Sequence, residues 1–203
     1  MKKTKIKGLI VAAGLSSRMK SFKPLTDYKG KPFIINIILK LEVICDQIFI
    51  VTGFKADVLK SSIKNALIKT HQTELLKKIF FVYNDSFQKG MFTSLQKGIS
   101  AAKNCDWILY HFVDQPGLPE IFYYDFILQI NVQHNWIQPS YKNKNGHPIL
   151  VKSDLFDLII NASEDSILKE ISKSSEVKKK YWECNSKEIF QDIDTEEDYQ
   201  TIL

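Results

Sequence analysis

A loop rich in small residues and cations follows the first apolar run of the chain. Residues 12–18 read AAGLSSR, and Lys23 comes five positions later. Gly14 lets the backbone turn sharply and bring its N–H groups close to an anion. Arg18 can grip two oxygens with its guanidinium fork, and Lys23 adds a point charge. The loop lacks the GK[ST] ending of a P-loop and the GxGxxG of a dinucleotide site. Its residues fit an anion-binding loop and, equally, a turn with two surface cations.

Carboxylates follow two other segments. Asp114 comes directly after the apolar run 107–113, and Asp192 and Asp194 alternate in QDIDT before the last predicted helix. Alternate side chains of an extended segment point to the same side, so these two carboxylates should lie together. At the end of a strand Asp114 is well placed to hold Mg²⁺ against triphosphate oxygens, and Asp192 or Asp194 could complete that site. A turn cap before Pro116 and a cap of the last helix explain the same carboxylates without a metal.

Two further segments carry polar residues that could touch a ligand. Residues 90–95 read GMFTSL and lead into a helix, whose free N–H groups would attract hydroxyls or phosphate. Thr93 or Ser94 acting only as a helix cap explains the same residues. His147 stands in a Gly-His-Pro turn, where it is either a substrate contact or an ordinary turn residue.

Apolar runs of strand length alternate along the chain with segments of helical period. This alternation predicts an α/β fold, a single Rossmann-like domain over residues 1–203, with a mostly parallel sheet and helices on both faces. Ligands bind beyond the carboxyl ends of such strands, where the candidate loops fall. The predicted strands are 6–12, 47–52, 79–83, 107–113, 136–141, 148–151 and 178–184. The predicted helices are 32–42, 56–67, 93–102, one from Pro119, 154–160, 166–171 and one capped by Thr195.

Composition narrows the class of protein. Of the 203 residues 44% are hydrophobic and 25% charged, which is typical of a soluble globular chain. The net charge of +5 comes from scattered lysines and not from a sustained basic stripe, which argues against a nucleic-acid partner. No apolar run reaches the roughly 20 residues of a membrane span. Three distant cysteines without a CxxC pair argue against disulfides and structural zinc and favour the cytoplasm.

Six segments, in order, resemble the MobA-like nucleotidyltransferases, and among these the molybdenum cofactor cytidylyltransferases. LIVAAGLSSRMKSFKPL resembles the family's opening LAAGxSxRMGxxKxL, and YKGKPFI resembles its GxPLL continuation. YNDSFQKGMFTSLQKGI resembles the loop NPxxxxGMxxSLxxGL, and VDQP resembles the metal-binding DQP. NGHPILV resembles GHPVLF, and DIDTEEDY resembles the closing DIDTPEDY. The match runs through most of the chain.

The resemblance implies an enzyme that moves a nucleoside monophosphate from a triphosphate to a phosphorylated acceptor and releases pyrophosphate. It implies catalytic roles for Arg18, Lys23 and Asp114, a Mg²⁺ ion on Asp114 and Asp192, and acceptor binding by His147. The Ala-Ala-Gly opening is more typical of cytidylyl than of guanylyl members, which favours CTP. Molybdopterin is the acceptor that the resemblance favours, with transient contact to a molybdenum enzyme. The implied nucleotide-binding residues are Ala12, Ala13, Gly14, Ser16, Arg18, Lys23, Gly90 and Ser94.

Two departures from the family pattern concern the loop and the acceptor. Lys20 replaces the glycine that usually follows Arg-Met, and residues 164–169 (EDSILK) replace a GDxGAR-like segment. The second departure lies toward the acceptor side, and two other interpretations stay open. One is transfer to another acceptor, such as a methylerythritol or sugar phosphate, and the other is a non-catalytic insertion partner of a molybdenum hydroxylase.

Overall fold

The computed structural model describes residues 3–19 and 21–201, so the departure at Lys20 lies outside the described residues. In chain order the strands are β1 (Ile6–Ala12), β2 (Asp27–Tyr28), β3 (Lys31–Pro32), β4 (Gln47–Thr52), β5 (Ile79–Tyr83), β6 (Trp107–Phe112), β7 (Trp136–Tyr141), β8 (Lys144–Asn145), β9 (Ile149–Lys152) and β10 (Lys179–Glu183). The α-helices are α1 (Phe33–Leu41), α2 (Ala56–Lys69), α3 (Met91–Ala102), α4 (Glu120–Ile127), α5 (Phe156–Ile160), α6 (Leu168–Ile171) and α7 (Glu196–Gln200). Short 3₁₀ turns cover Lys23–Leu25, Thr73–Lys78, Phe87–Lys89, Ser153–Leu155 and Lys187–Phe190.

One mostly parallel sheet forms the centre of the fold, with strand order β10-β7-β9-β6-β1-β4-β5 and β8 beside β7. β1 pairs in parallel with β4 and β6, β4 with β5, and β10 with β7. Every residue of β1 is buried, as expected of a central parallel strand. The predicted α/β class with a mostly parallel sheet is therefore confirmed.

Strand β9 runs against its neighbours β6 and β7. The chain reverses after β7 at Lys142 and Asn143, whose φ values of 49° and 63° are those of a tight two-residue hairpin. β8 pairs antiparallel with β7 through this turn, and β9 then returns between β7 and β6. This reversal brings the Gly-His-Pro turn to the same edge of the sheet as the end of β6.

Helices cover both faces of the sheet, as predicted. One hydrophobic cluster joins α1, α2 and α4 to the sheet, with Ile38, Ile63 and Phe126 fully buried. A second cluster on the opposite face joins α3, α5 and α6 to it. No helix of the described residues is long and apolar enough to cross a membrane.

Helix α3 approaches the sheet unusually closely. A Cβ added at Gly98 would come within 2.4 Å of a Leu9 methyl group and 2.8 Å of a Val51 methyl group. Ser94 stands one helical turn before Gly98, so both residues lie on the face of α3 that meets β1 and β4. The absence of a side chain at Gly98 therefore lets α3 present Ser94 at the carboxyl end of β1.

Candidate active site

A cavity of about 300 Å³ opens at the carboxyl ends of β1 and β6. Its walls come from the loop after β1, the start of α3, the end of β6 and the segment before α7. Of the residues predicted from sequence, it brings together Ala12, Ala13, Gly14, Ser16, Arg18, Lys23, Ser94 and Asp114. Gly90, His147 and Asp192 do not line it.

Local hydrogen bonds fold the loop after β1 back on itself. Ser16 has the positive φ of 56°, and its carbonyl accepts from the Met19 N–H at 3.1 Å. The Ser16 hydroxyl accepts from the backbone N–H of Lys23, also at 3.1 Å. A Cβ added at Gly14 would meet no atom within 4 Å, so this position faces open space. The loop thus holds Lys23 at the cavity and leaves room above Gly14 for a ligand.

Lys23 is the centre of a cluster of charges at the cavity floor. Its Nζ lies 2.6 Å from Asp194 Oδ1 and 3.4 Å from Asp114 Oδ2. Arg18 Nη2 lies 2.8 Å from the other Asp194 oxygen. The side chain of Lys23 is 12% exposed and that of Arg18 is 67% exposed, so the first pair is shielded and the second is open to water. Two cations and two carboxylates from three chain segments therefore meet at one point.

Asp114 carries the most perturbed carboxyl of the cluster. Burial raises its pKa from 3.8 to about 6, Lys23 opposes the increase, and the negative charges of Asp192 and Asp194 add to it. Its Oδ1 is buried without a hydrogen-bond partner among residues 3–19 and 21–201. A buried carboxylate oxygen without a donor, close to further negative charge, fits a position where a cation binds.

The segment before α7 holds two carboxylates in different surroundings. Asp192 Oδ1 accepts from Gln115 Nε2 at 2.7 Å, and the N–H of Ile193 donates to the Asp114 carbonyl at 3.0 Å. Burial raises the pKa of Asp194, but the hydrogen bonds and charges of Lys23 and Arg18 outweigh it and lower that pKa below 3.8. These contacts tie the segment to the residues that follow β6.

Helix α7 has its own cap. Thr195 accepts from the N–H of Asp198 at 3.1 Å, and Asp198 Oδ2 accepts in return from the N–H groups of Thr195 and Asp194. The predicted cap by Thr195 is confirmed. Because Thr195 and Asp198 satisfy the helix N-terminus, the carboxylate of Asp194 is left for Arg18 and Lys23.

The donor set fits a cation that shares its coordination with a ligand. In the part of the chain that is described, no three His, Cys, Asp or Glu side chains lie close enough to hold a metal alone. Mg²⁺ commonly takes one or two carboxylates, and substrate phosphates and water complete its octahedron. Asp114, which lines the cavity, can take part in that mode of binding, and Asp192, which does not line the cavity, adds negative charge near Asp114.

The start of α3 differs from the sequence prediction by two residues. The helix begins at Met91 and not at Thr93, and Gly90 takes the N-cap position with φ of 127°. Neither Thr93 nor Ser94 is therefore the helix cap. Ser94 lines the cavity, while Gly90 lines a neighbouring depression beside residues 164–168. Asn84, which donates to both hydroxyls, is a residue that sequence reasoning missed.

His147 lines a second cavity of about 540 Å³, which shares Met91 and Phe112 with the first. Its ring packs against Phe112 with centroids 4.3 Å apart, and its backbone N–H donates to the carbonyl of Ile189. Burial lowers the pKa of His147 from 6.5 to about 4, so the ring is neutral at pH 7. Nδ1 is buried and lacks a partner within the described ranges 3–19 and 21–201.

The second cavity combines an aromatic floor with a cationic rim. Alternate residues of four neighbouring strands face it, since side chains two apart share one face of a sheet. Three lysines stand at its edge, none in an ion pair within the described part of the chain. The floor residues are Tyr110, Phe112, Trp136 and His147, and the rim lysines are Lys169, Lys173 and Lys179.

Comparison with known proteins gives the family. The model of the MobA-like NTP transferase domain matches residues 8–179. The molybdenum cofactor cytidylyltransferase of Escherichia coli (strain K12) is 27% identical over 195 residues, which are 95% of this chain and 93% of that protein.

Solved structures share the fold at lower identity. A nucleotidyl transferase from Methanothermobacter thermautotroptrophicus has a TM-score of 0.78 and 21% identity, covering 98% of this chain and 96% of that chain. The complex of Rv0371C with manganese from Mycobacterium tuberculosis H37Rv has a TM-score of 0.70 and 18% identity, covering 98% of both chains. The chain belongs to the MobA-like NTP transferases and is a nucleotidyltransferase.

Proposed function

We propose that the protein transfers CMP from CTP to a phosphorylated acceptor in a reaction that requires Mg²⁺. Molybdopterin is the acceptor that we favour. The observation that carries this proposal is the cluster of Lys23, Asp114 and Asp194 at the floor of the first cavity. A nucleoside triphosphate binds together with a divalent cation. The cluster offers a partner of opposite charge to each, the Lys23 ammonium to the phosphates and the carboxylates to the cation. The two cavities then hold the two substrates.

The loop after β1 binds the triphosphate. Arg18 and Lys23 are both held by Asp194 in the free protein. Phosphate oxygens compete for the same two cations, so binding of CTP exchanges the bonds to one carboxylate for bonds to several phosphate oxygens. Lys23 neutralises charge at the α-phosphate, and because the Ser16 hydroxyl holds its backbone N–H, little reorganisation accompanies the reaction.

Asp114, with Asp192, holds the cation. Bound Mg²⁺ supplies Lewis-acid polarisation of the phosphoryl oxygens and neutralises developing charge. Gln115 orients the Asp192 carboxylate through its hydrogen bond, and the Ile193 contact fixes the spacing of the two segments. The manganese bound in the Rv0371C structure supports a divalent cation at this fold.

The acceptor occupies the second cavity. An acceptor phosphate near Phe112 and Met91, where the cavities meet, can attack the α-phosphorus in line with the leaving pyrophosphate. No covalent intermediate on the protein is needed. Lys169, Lys173 and Lys179 suit an anionic acceptor, and His147 can donate or accept one hydrogen bond through its unpartnered nitrogen.

The choice of CTP and molybdopterin depends on the relative from Escherichia coli and on the Ala-Ala-Gly opening. A sugar or polyol phosphate is the alternative acceptor. Residues 164–169 depart from the family pattern, residues 167–169 of this segment line the second cavity, and the lysines at its edge could bind any phosphate. We place the reaction in the cytoplasm, with transfer of the product by transient contact with a molybdenum enzyme.

A thermal-shift screen with Mg²⁺ and each of CTP, GTP, ATP and UTP tests the nucleotide. Selective binding stabilises the fold by about 2.7 kcal/mol at a hundredfold excess of ligand over Kd. Pyrophosphate release with isolated molybdopterin then tests transfer, and Asp114→Ala should abolish it. Asp154→Ala, at an exposed surface carboxylate, is the matched control. Absence of a shift with every nucleotide would favour the non-catalytic partner instead.

A further inference from the structure

A buried amide joins the end of β5 to the start of α3. Asn84 is fully buried, and its Nδ2 lies 2.9 Å from both Thr93 Oγ1 and Ser94 Oγ. Its Oδ1 accepts from the backbone N–H of Ser86 at 3.0 Å. A backbone N–H can only donate, so this bond fixes which end of the amide is the oxygen. The amide therefore donates one hydrogen to each hydroxyl.

The two hydroxyls that accept these bonds differ in the acceptors available to their own protons. Thr93 Oγ1 lies 2.9 Å from the carbonyl oxygen of Gly90 and 3.2 Å from that of Ser86, so its proton goes to the backbone. Ser94 Oγ accepts from Asn84, and no residue within 3–19 and 21–201 accepts the Ser94 proton. Since Ser94 also lines the first cavity, its proton faces the ligand there.

The part of the cavity around Ser94 differs from the part that holds the phosphates. Phe87 and Met91, the neighbouring wall residues that precede Ser94, carry no charge. The two cations of the cavity, Arg18 and Lys23, come from the separate loop after β1. A hydroxyl donor among apolar side chains suits an uncharged oxygen or ring nitrogen of the nucleoside and not a phosphate.

We propose that Asn84 is a positioning residue that makes Ser94 a hydrogen-bond donor to the nucleoside part of the bound nucleotide. Without the amide, the Ser94 hydroxyl could turn its proton toward another acceptor and offer only lone pairs to the ligand. The proposal depends on the nucleotide site proposed above, and it assigns Asn84 no contact with the ligand itself.

Asn84→Asp separates this role from a purely structural one. The aspartate keeps the shape of the side chain and still accepts from the Ser86 N–H, but its second oxygen accepts from Ser94 instead of donating to it. We expect titration calorimetry with Mg-CTP to show about three- to tenfold weaker binding for Asn84→Asp and for Ser94→Ala alike. In the Ser94→Ala background, adding Asn84→Asp should cause no further loss.

Two controls test whether charge repulsion or loss of structure explains the weaker binding. Pyrophosphate has the charge of the phosphates but lacks the nucleoside, so it should bind both variants as tightly as it binds the wild type. Repulsion by the new carboxylate would instead weaken pyrophosphate binding to Asn84→Asp. Thr93→Val removes the other hydroxyl bonded to Asn84 and should leave the Kd of Mg-CTP unchanged, with any effect confined to the unfolding temperature.

Several results would overturn the proposal. The first is an affinity of Asn84→Asp for Mg-CTP equal to that of the wild type. The second is that Asn84→Asp weakens Mg-CTP binding as much in the Ser94→Ala background as in the wild type. The third is that Thr93→Val weakens Mg-CTP binding as much as Asn84→Asp does. If the aspartate variant does not fold, the same cycle with Asn84→Ala answers the question. A wild-type protein that binds no nucleotide would instead refute the proposed function, so the two failures are distinguishable.

Discussion

The ammonium of Lys23 lies 2.6 Å from the carboxylate of Asp194, across 171 residues of sequence. This ion pair joins the loop after β1 to the segment before α7 at the floor of the first cavity. The same lysine lies 3.4 Å from Asp114. We expect a phosphate oxygen that binds Lys23 to compete with Asp194 for the ammonium, so phosphate binding should be linked to the position of the last segment.

Replacing Lys23 by methionine should remove charge neutralisation while keeping most of the side-chain volume. We expect kcat/KM for CTP to fall by about 10²–10³, the usual loss for one preorganised charge donor. Steady-state pyrophosphate release measures the change. Lys77→Met is the control and should leave kcat/KM at the wild-type value. Lys77 is 75% exposed and pairs with Glu74, outside the cavity. A similar rate in Lys23→Met would contradict the assigned role.

Thr195 should support the site through the cap of α7. Thr195→Ala removes a hydroxyl that accepts from the Asp198 N–H, and such caps contribute about 1 kcal/mol to the free energy of unfolding. For a chain of this size we expect the unfolding temperature to fall by about 2–4 °C. Differential scanning calorimetry measures it. Thr201→Ala, at the other end of the helix, removes no N-cap and should shift the temperature less. An unchanged temperature in Thr195→Ala would show that the cap is not stabilising.

The elements and loops of the site follow from local patterns. The strand 6–12 and the positions of Gly14 and Asp114 were predictable because a buried parallel strand is a continuous apolar run and ligand residues follow it. The cap by Thr195 was predictable because Thr195 and Asp198 have the spacing of a capping box.

Other features depend on contacts that no local pattern encodes. The sequence left open whether Asp194 caps a helix or serves the site, and its bonds to Arg18 and Lys23 join segments far apart in the chain. The reversal of β9 has a weak local signal in the Asn143 turn, since asparagine tolerates positive φ. The role of Asn84 was hidden because an asparagine after a strand is usually only a turn residue.

His147 should affect the acceptor and not the nucleotide. It lines the second cavity with a buried, unpartnered Nδ1, so His147→Ala should raise the KM for the phosphorylated acceptor about three- to tenfold. The Kd of Mg-CTP should stay at the wild-type value. Steady-state transfer and titration calorimetry measure the two constants. His134→Ala, whose ring bonds Asn131 away from both cavities, is the control. A changed Kd for Mg-CTP with an unchanged acceptor KM would contradict this assignment.

Asp114 should make the metal-free protein less stable as the pH rises. Its folded pKa of about 6 lies above the unfolded value of 3.8, so the folded state binds more protons between these pH values. The stabilising contribution of this carboxyl is complete below pH 4 and is lost as the pH passes 6. The difference corresponds to about 3 kcal/mol at most, and the nearby charge of Lys23 reduces what a substitution recovers.

Asn in place of Asp114 removes that titration and keeps the shape of the side chain. In the absence of metal we expect Asp114→Asn to raise the free energy of unfolding at pH 8 by about 1–2 kcal/mol and to flatten its dependence between pH 4 and 6. Transfer should be lost at every pH, because a neutral amide holds Mg²⁺ poorly. Urea titrations at several pH values, with EDTA present, measure the stability. Asp154→Asn is the control at an exposed carboxylate and should change neither property. A less stable Asp114→Asn protein at pH 8 would show that the bond to Lys23 outweighs the burial of the charge.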